Sequence, residues 1–244
     1  MSNNSIHTEG ARAMIFAAGL GTRLKPWTDH HPKALAVVNG KSLLQRNVEY
    51  LLRSGVQKIV VNIHHFSDQI IDAVEKANGW GAQIVFSDES DAVLETGGGL
   101  KKAASSLSST DPIILLNADI LTDLNLPDML RCHLLNDPIA TLAVTNRNSS
   151  RYFLFDENDR LCGWMNDKTG EQKGEPGKKM AFSGLHIISP QLLSLIEEEG
   201  KFSLVDLYLR LAPNHRILAY PHSQSKFIDV GKPESVAIAE SLFL

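Results

Sequence analysis

Residues 14–40 read MIFAAGLGTRLKPWTDHHPKALAVVNG, and the reading of that stretch decides the fold. Met14 to Ala18 is a short apolar run that breaks at Gly19 and Gly21 into a loop carrying Thr22, Arg23, Lys25 and Lys33. A buried strand followed by a glycine turn, with backbone N–H groups and flanking cations, is a place to hold phosphates. Two generic phosphate motifs fail here. A dinucleotide fingerprint needs a third glycine where Leu24 stands, and a P-loop ending in Gly40-Lys41-Ser42 needs glycine in place of Leu35. An ordinary glycine turn after a core strand accounts for Gly19 and Gly21, but not for an arginine and a lysine at these offsets.

Outward from the loop, Ser42 is placed to cap a helix whose apolar residues Leu43, Leu44, Val48, Leu51 and Leu52 share one face, ended by Gly55. Residues 58–63 (KIVVNI) read as a buried strand, 67–77 as a helix carrying Ile70, Ile71 and Val74, and 83–87 as a further strand. Strand and helix alternating at this spacing predict parallel pairing, right-handed crossovers and helices on both faces of a sheet. Ligands of such sheets lie beyond the carboxyl ends of the strands, which is where the Gly19 loop falls. The string Leu94-Glu95-Thr96-Gly97-Gly98-Gly99 then opens an amphipathic segment with Leu100, Ala103, Ala104 and Leu107. Three glycines leave bare backbone on which a flat base or a sugar can lie, with Glu95 or Thr96 bonding its edge; the plain alternative is a flexible hinge before a helix.

Residues 112–119 (PIILLNAD) form the most hydrophobic strand, ending in Asn117 and Asp119. A carboxylate at such a place is costly unless it caps something or binds a cation. Residues 226–234 (KFIDVGKPE) repeat the theme, with Asp229 before Gly231 and a new helix. Between these two segments we expect a helix over 126–135, a strand over 140–145, a hairpin of 152–155 with 161–164, and a long polar loop over 166–179. A strand over 181–188, a helix capped by Ser203, a strand over 216–220 and a helix over 234–243 complete the reading.

The chain has 244 residues, 43% of them hydrophobic, enough to bury a large core, and no linker divides it. The expectation is one domain over 11–244 after a flexible tail at 1–10. A net charge of −4 gives no support to a nucleic-acid partner. Cys132 and Cys162 have no metal spacing and read as reduced. The polar N-terminus and the lack of a long apolar run predict a cytoplasmic protein without a membrane partner. His64-His65, His30-His31 and His186 have no acidic or thiol partners at zinc spacing.

The combination Gly19-x-Gly21-Thr22-Arg23-x-x-Pro26 with Pro32-Lys33-x-Leu35 resembles the sugar-1-phosphate nucleotidylyltransferases, or NDP-sugar pyrophosphorylases. The resemblance covers roughly Ala13 to the C-terminus and implies an α/β fold, a Rossmann-like three-layer sandwich with a mostly parallel sheet. It implies condensation of a nucleoside triphosphate with a sugar 1-phosphate, releasing pyrophosphate, in a monomer or small homo-oligomer. Arg23, Lys33, Asp119 and Asp229 would be catalytic, and Asp119 and Asp229 would hold Mg²⁺. Ala17, Ala18, Gly19, Gly21, Thr22, Arg23, Glu95, Thr96, Gly97, Gly98 and Asn117 would contact the nucleotide. Lys33, Asn166, Ser183 and Gly184 would contact the sugar substrate. The string at 94–99 is similar to the N-acetylmuramate-1-phosphate uridylyltransferase branch of peptidoglycan recycling. A mannose- or heptose-1-phosphate guanylyltransferase keeps the same chemistry, and a catalytically silent nucleotide-sugar sensor is the reading from a different class. Two positions depart from the family pattern: Ala34 stands where relatives carry proline, and Met165-Asn166-Asp167-Lys168 stands where many carry Glu-Lys-Pro.

Overall fold

In the computed structural model, residues 10–243 are described, so the expected tail at 1–10 lies, Gly10 apart, outside the described residues. The chain opens with β1 (Arg12–Phe16), a small hairpin of β2 (Val37–Val38) and β3 (Lys41–Ser42), α1 (Leu43–Arg53), β4 (Lys58–Ile63), α2 (Ser67–Lys76), β5 (Gln83–Asp88) and α3 (Glu95–Leu107). There follow β6 (Ile113–Asn117), β7 (Ile120–Thr122), α4 (Leu126–Asn136), β8 (Ala140–Thr145), β9 (Arg151–Phe155), β10 (Leu161–Asn166), β11 (Glu171–Gly174) and β12 (Lys178–Ile188). The chain closes with α5 (Gln191–Ser194), α6 (Leu204–Leu211), β13 (Ile217–Pro221), β14 (Phe227–Asp229) and α7 (Pro233–Leu242). None of these helices is long and apolar enough to cross a membrane.

The largest sheet runs β11-β10-β9-β12-β6-β1-β4-β5, with β8 also on β12 and β13 on β8. Its half β6-β1-β4-β5 is parallel, as the alternating pattern predicts, and β12 enters antiparallel to β6. Parallel strands carry helices on both faces, which is why β1 and β4 read as continuous apolar runs rather than alternating ones. One face is covered by α1, α2 and α4 through Leu44, Val48, Ile70, Val74 and Met129. The other is covered by α3 and α6 through Leu100, Leu107, Leu204 and Leu207. The result is the α/β three-layer sandwich. Local signals hold at their own sites: Ser42 Oγ accepts the Gln45 N–H at 3.1 Å, and Ser203 Oγ accepts the Val205 N–H at 3.1 Å.

Two expectations are corrected. Residues 166–179 are not a loop: Asp167 to Gly170 turn the chain, and β11 returns antiparallel along β10, with Glu171 opposite Asn166 and Gly174 opposite Gly163. Its four residues are exposed, so the strand carries no apolar alternation to announce it. The glycines after Leu94 are not open backbone before a helix either. α3 begins at Glu95, and Gly97, Gly98 and Gly99 are buried in its first turns.

Candidate active site

The Gly19 loop leaves the carboxyl end of β1, and its geometry forces glycine at position 21. Gly21 has φ +61°, and a Cβ there would stand 2.8 Å from Lys33 Cβ. That close approach sets the Lys33 side chain beneath the loop. Behind the loop, Asn62 on β4 accepts the Ala17 and Ala18 N–H groups on Oδ1, at 2.7 and 3.3 Å. Asn62 Nδ2 in turn donates to Glu89 Oε1 at 2.7 Å, and the Glu89 N–H donates to Ile63 O at 2.7 Å. Both side chains are buried, and a Cβ on Gly99 would come within 2.6 Å of Glu89 Oε1. A cavity of about 260 Å³ opens in front of this support, lined in part by Asn62, Glu89, Glu95, Thr96 and Asn117. A second, of about 220 Å³, is lined by Gly21, Thr22, Arg23 and Gly231, and the two share Gly19, Lys33 and Asp119.

The two aspartates meet through strand register. β14 runs antiparallel to β7 with Asp229 beside Ile120, and the Val230 N–H donates to Asp119 O at 2.8 Å. Lys33 Nζ forms an ion pair with Asp119 Oδ2, and Arg23 Nη2 lies 3.7 Å from Asp229 Oδ2. Burial, and after it the Asp119 carboxylate, pushes the Asp229 pKa up, while Lys33, Arg23 and Arg147 pull it down. Asp229 Oδ1 is buried and has no hydrogen-bond partner. An orphaned carboxylate oxygen next to a second carboxylate fits a hard divalent cation. Among the described residues no cluster of three or more His, Cys, Asp or Glu side chains stands ready for a metal. Two carboxylates suffice for Mg²⁺, which keeps waters and takes substrate phosphates as further ligands.

The structure therefore brings Arg23, Lys33, Asp119 and Asp229 together, with Ala17, Ala18, Gly19, Gly21, Thr22 and Asn117 around them. Ser183 and Gly184 stand next to Asn117: a Cβ on Gly184, at φ +72°, would lie 2.8 Å from Asn117 Nδ2. Asn166 is not brought in; it ends β10 on the edge hairpin, where its Oδ1 accepts the Lys168 N–H at 3.0 Å. Glu95 lines the first cavity at φ +59° and faces Lys201 Nζ at 3.4 Å. Thr96 also lines it, yet its Oγ1 accepts the Leu204 N–H at 3.0 Å, tying α3 to the start of α6. Gly97 and Gly98 serve packing: Cβ atoms there would meet the Phe202 ring at 2.3 Å and Gly200 O at 2.2 Å. Asn62 and Glu89 were not among the expected site residues. Asn62 carried a signal, being the one polar side chain within the apolar run 59–63 (IVVNI), whereas Glu89 carried none.

Comparison with known proteins gives the family. The profile of the family described as nucleotidyl transferase matches residues 12–240. The chain is 31% identical to an N-acetylmuramate alpha-1-phosphate uridylyltransferase from Caulobacter vibrioides, over 94% of this chain and 95% of that one. It is 26% identical to a mannose-1-phosphate guanylyltransferase catalytic subunit beta from Drosophila pseudoobscura pseudoobscura, over all of this chain but 65% of that one. The crystal structure of HddC from Yersinia pseudotuberculosis complexed with GMP-PN superposes with a TM-score of 0.78 at 27% identity, covering 96% of this chain and 99% of that one.

Proposed function

The chain belongs to the nucleotidyl transferase family, and on that premise we propose that one domain, over 11–244, transfers a nucleotidyl group from a nucleoside triphosphate to a sugar 1-phosphate. The observation that carries this is the convergence of Arg23, Lys33, Asp119 and Asp229 where the two cavities adjoin. The sugar phosphate oxygen attacks the α-phosphorus and pyrophosphate leaves in line; no protein nucleophile is needed, because positioning and charge stabilisation supply the acceleration. Lys33, held beneath the glycine loop, bears on the α-phosphate and the incoming phosphate, where charge gathers. Arg23, at the open cavity beside Gly231, bears on the departing pyrophosphate. Asp119 and Asp229 would hold Mg²⁺, which would offset the charge of the phosphates. Ala17 to Thr22 wrap the nucleotide, and Ser183 and Gly184, next to Asn117, face the sugar.

For the substrate pair we propose UTP with N-acetylmuramate 1-phosphate, in the cytoplasm. Support comes from the relative of that activity matched along nearly its whole length. One observation favours a second reading, GTP with a mannose or heptose 1-phosphate. Glu89 lines the first cavity, and its Oε2 has only a long contact, 3.4 Å, from the Leu94 N–H. A carboxylate with spare acceptor capacity matches the adjacent N1–H and N2–H₂ donors of guanine.

Pyrophosphate release in Mg²⁺, crossing UTP, GTP, CTP and dTTP with N-acetylmuramate, N-acetylglucosamine, glucose, mannose and heptose 1-phosphates, tests this. Release with UTP and N-acetylmuramate 1-phosphate is expected, and Asp119→Ala should cut it by about two orders of magnitude or more. Release confined to GTP selects the second reading, with Glu89→Gln then raising the KM for GTP. Silence over the whole panel, with nucleotide still bound, overturns transfer and leaves a sensor.

A further inference from the structure

Four buried side-chain polar atoms among the described residues have no hydrogen-bond partner: Thr145 Oγ1, Arg147 Nε, His222 Nδ1 and Asp229 Oδ1. Buried polar atoms in native proteins are paired with few exceptions, so four in one neighbourhood need a cause. The topology puts them together. β13 runs parallel to β8 with Pro221 beside Val144, and the His222 N–H donates to Val144 O at 3.0 Å, one residue from Thr145. Arg147 follows two residues later; its guanidinium lies 4.9 Å over the Phe227 ring, and Nη2 donates to Phe182 O at 2.7 Å. The His222 ring stands edge-on to Phe227 at 5.9 Å, with Nε2 2.8 Å from Ser183 Oγ. Phe227 precedes Asp229 on β14 by two residues, so the group forms one wall running from Ser183 to Asp229.

A cation held by Asp119 and Asp229 would account for Asp229 Oδ1 and for none of the other three. We infer that this wall recognises an acidic substituent of the sugar, with Arg147 as the specificity-determining cation. Thr145 and His222 are only 5% and 6% exposed and their free atoms offer a ligand no surface, so the contact falls to Arg147. A guanidinium has five donors, and among the described residues Arg147 uses a single one, toward Phe182 O; the remaining planar edge matches a carboxylate. The phosphates do not need it. Arg23 and Lys33 already stand at the phosphate end, against Gly231 and Asp119; Arg147, although its charge also reaches Asp229, lies along Phe182 and Phe227.

This inference rests on the proposed transfer to a sugar 1-phosphate. The test compares kcat and KM for N-acetylmuramate 1-phosphate with those for N-acetylglucosamine 1-phosphate, which lacks the carboxylate-bearing lactyl group, using the triphosphate that supports turnover. The proteins compared are the unmodified chain, Arg147→Met, which keeps the stem over Phe227, and Arg147→Lys. Removing one charge-assisted contact should cost Arg147→Met about 10- to 100-fold in kcat/KM on the acidic substrate, mainly through KM, and far less on the neutral one. Arg147→Lys should recover part of the loss. Equal losses on both substrates, or none on the acidic one, overturn the inference while transfer itself stands. No turnover by the unmodified chain with any pair overturns the transfer reading, and the inference with it. Should Arg147→Met melt well below the unmodified chain, Arg147→Lys decides alone: the preference for the acidic sugar is expected to be lost at least in part, and full retention overturns the inference.

Discussion

The cleft has two walls, and they handle polar atoms in opposite ways. On the side of β1 and β4, Asn62 is spent entirely within the protein, one oxygen on two backbone N–H groups and its amide on Glu89. On the side of β8, β13 and β14, Thr145, Arg147 and His222 each keep a buried donor or acceptor unused. The first wall leaves only Glu89 Oε2 with spare capacity; the second keeps three buried polar atoms unpaired. A preformed frame for the part common to all substrates, with open valences for the part that differs, is what selectivity among sugars requires.

The contrast is open to test, and the largest effect of a single substitution should come from the first wall. Asn62→Ala strips a partner from the Ala17 and Ala18 N–H groups and from Glu89 together. Stability should fall by about 2–4 kcal/mol, read as a drop in Tm of roughly 6–12 °C. A Tm within about 2 °C of the parent would mean that this wall does not depend on its own network.

Acid should act on the second wall next. Burial, and then Arg147, holds His222 down at about 4 from an ordinary 6.5. Burial does the same for His133, to about 4, and for His186, to about 3. The unfolded chain takes up these protons first, so stability is complete above about pH 6.5 and is lost as pH falls toward 4, by about 1.4 kcal/mol per pH unit for each histidine. Urea unfolding at stepped pH should show that slope, and His222→Phe should flatten it by one proton. An unchanged slope would mean that His222 is already charged in the fold.

The smallest effect should come from Thr145→Val, which removes an unpartnered hydroxyl from a site of nearly the same shape. Stability should stay level or rise by less than about 1 kcal/mol. A clear loss in the same melt would show that the hydroxyl has a partner after all, and would erase the contrast at that position.

The parallel half of the sheet was legible because its signals are local. An apolar run, a capping Ser42, the stop at Gly55 and the run 58–63 each declare themselves within a few residues. Arg23 and Lys33 were legible from their spacing around Gly21. Asp119 and Asp229 could be suspected singly, but only the pairing of β7 with β14 makes them neighbours. The edge strand β11 was hidden because an exposed strand has no apolar face to display. Arg147 and His222 were hidden for a different reason. Their meaning depends on β13 lying in register with β8, a contact between residues some 77 positions apart in the Asn146–Ser223 hydrogen bond that follows it. Glu89 is readable only through Asn62, and so only after β4 and β5 have been set side by side.

The glycines at the start of α3 carry a consequence for how such a sequence can change over time. Each reserves space for a different neighbour: Gly97 for the Phe202 ring, Gly98 for Gly200 O, Gly99 for Glu89. A side chain at 97 excludes an aromatic ring at 202 and also crowds the Phe202 backbone oxygen, so in descendants of this chain a change at 97 needs both a smaller residue at 202 and a shift of its backbone. Positions 99 and 89 are bound in the same way. A short run that looks like simple repetition thus couples the inheritance of three distant parts of the chain, and substitutions there should arrive together or not at all.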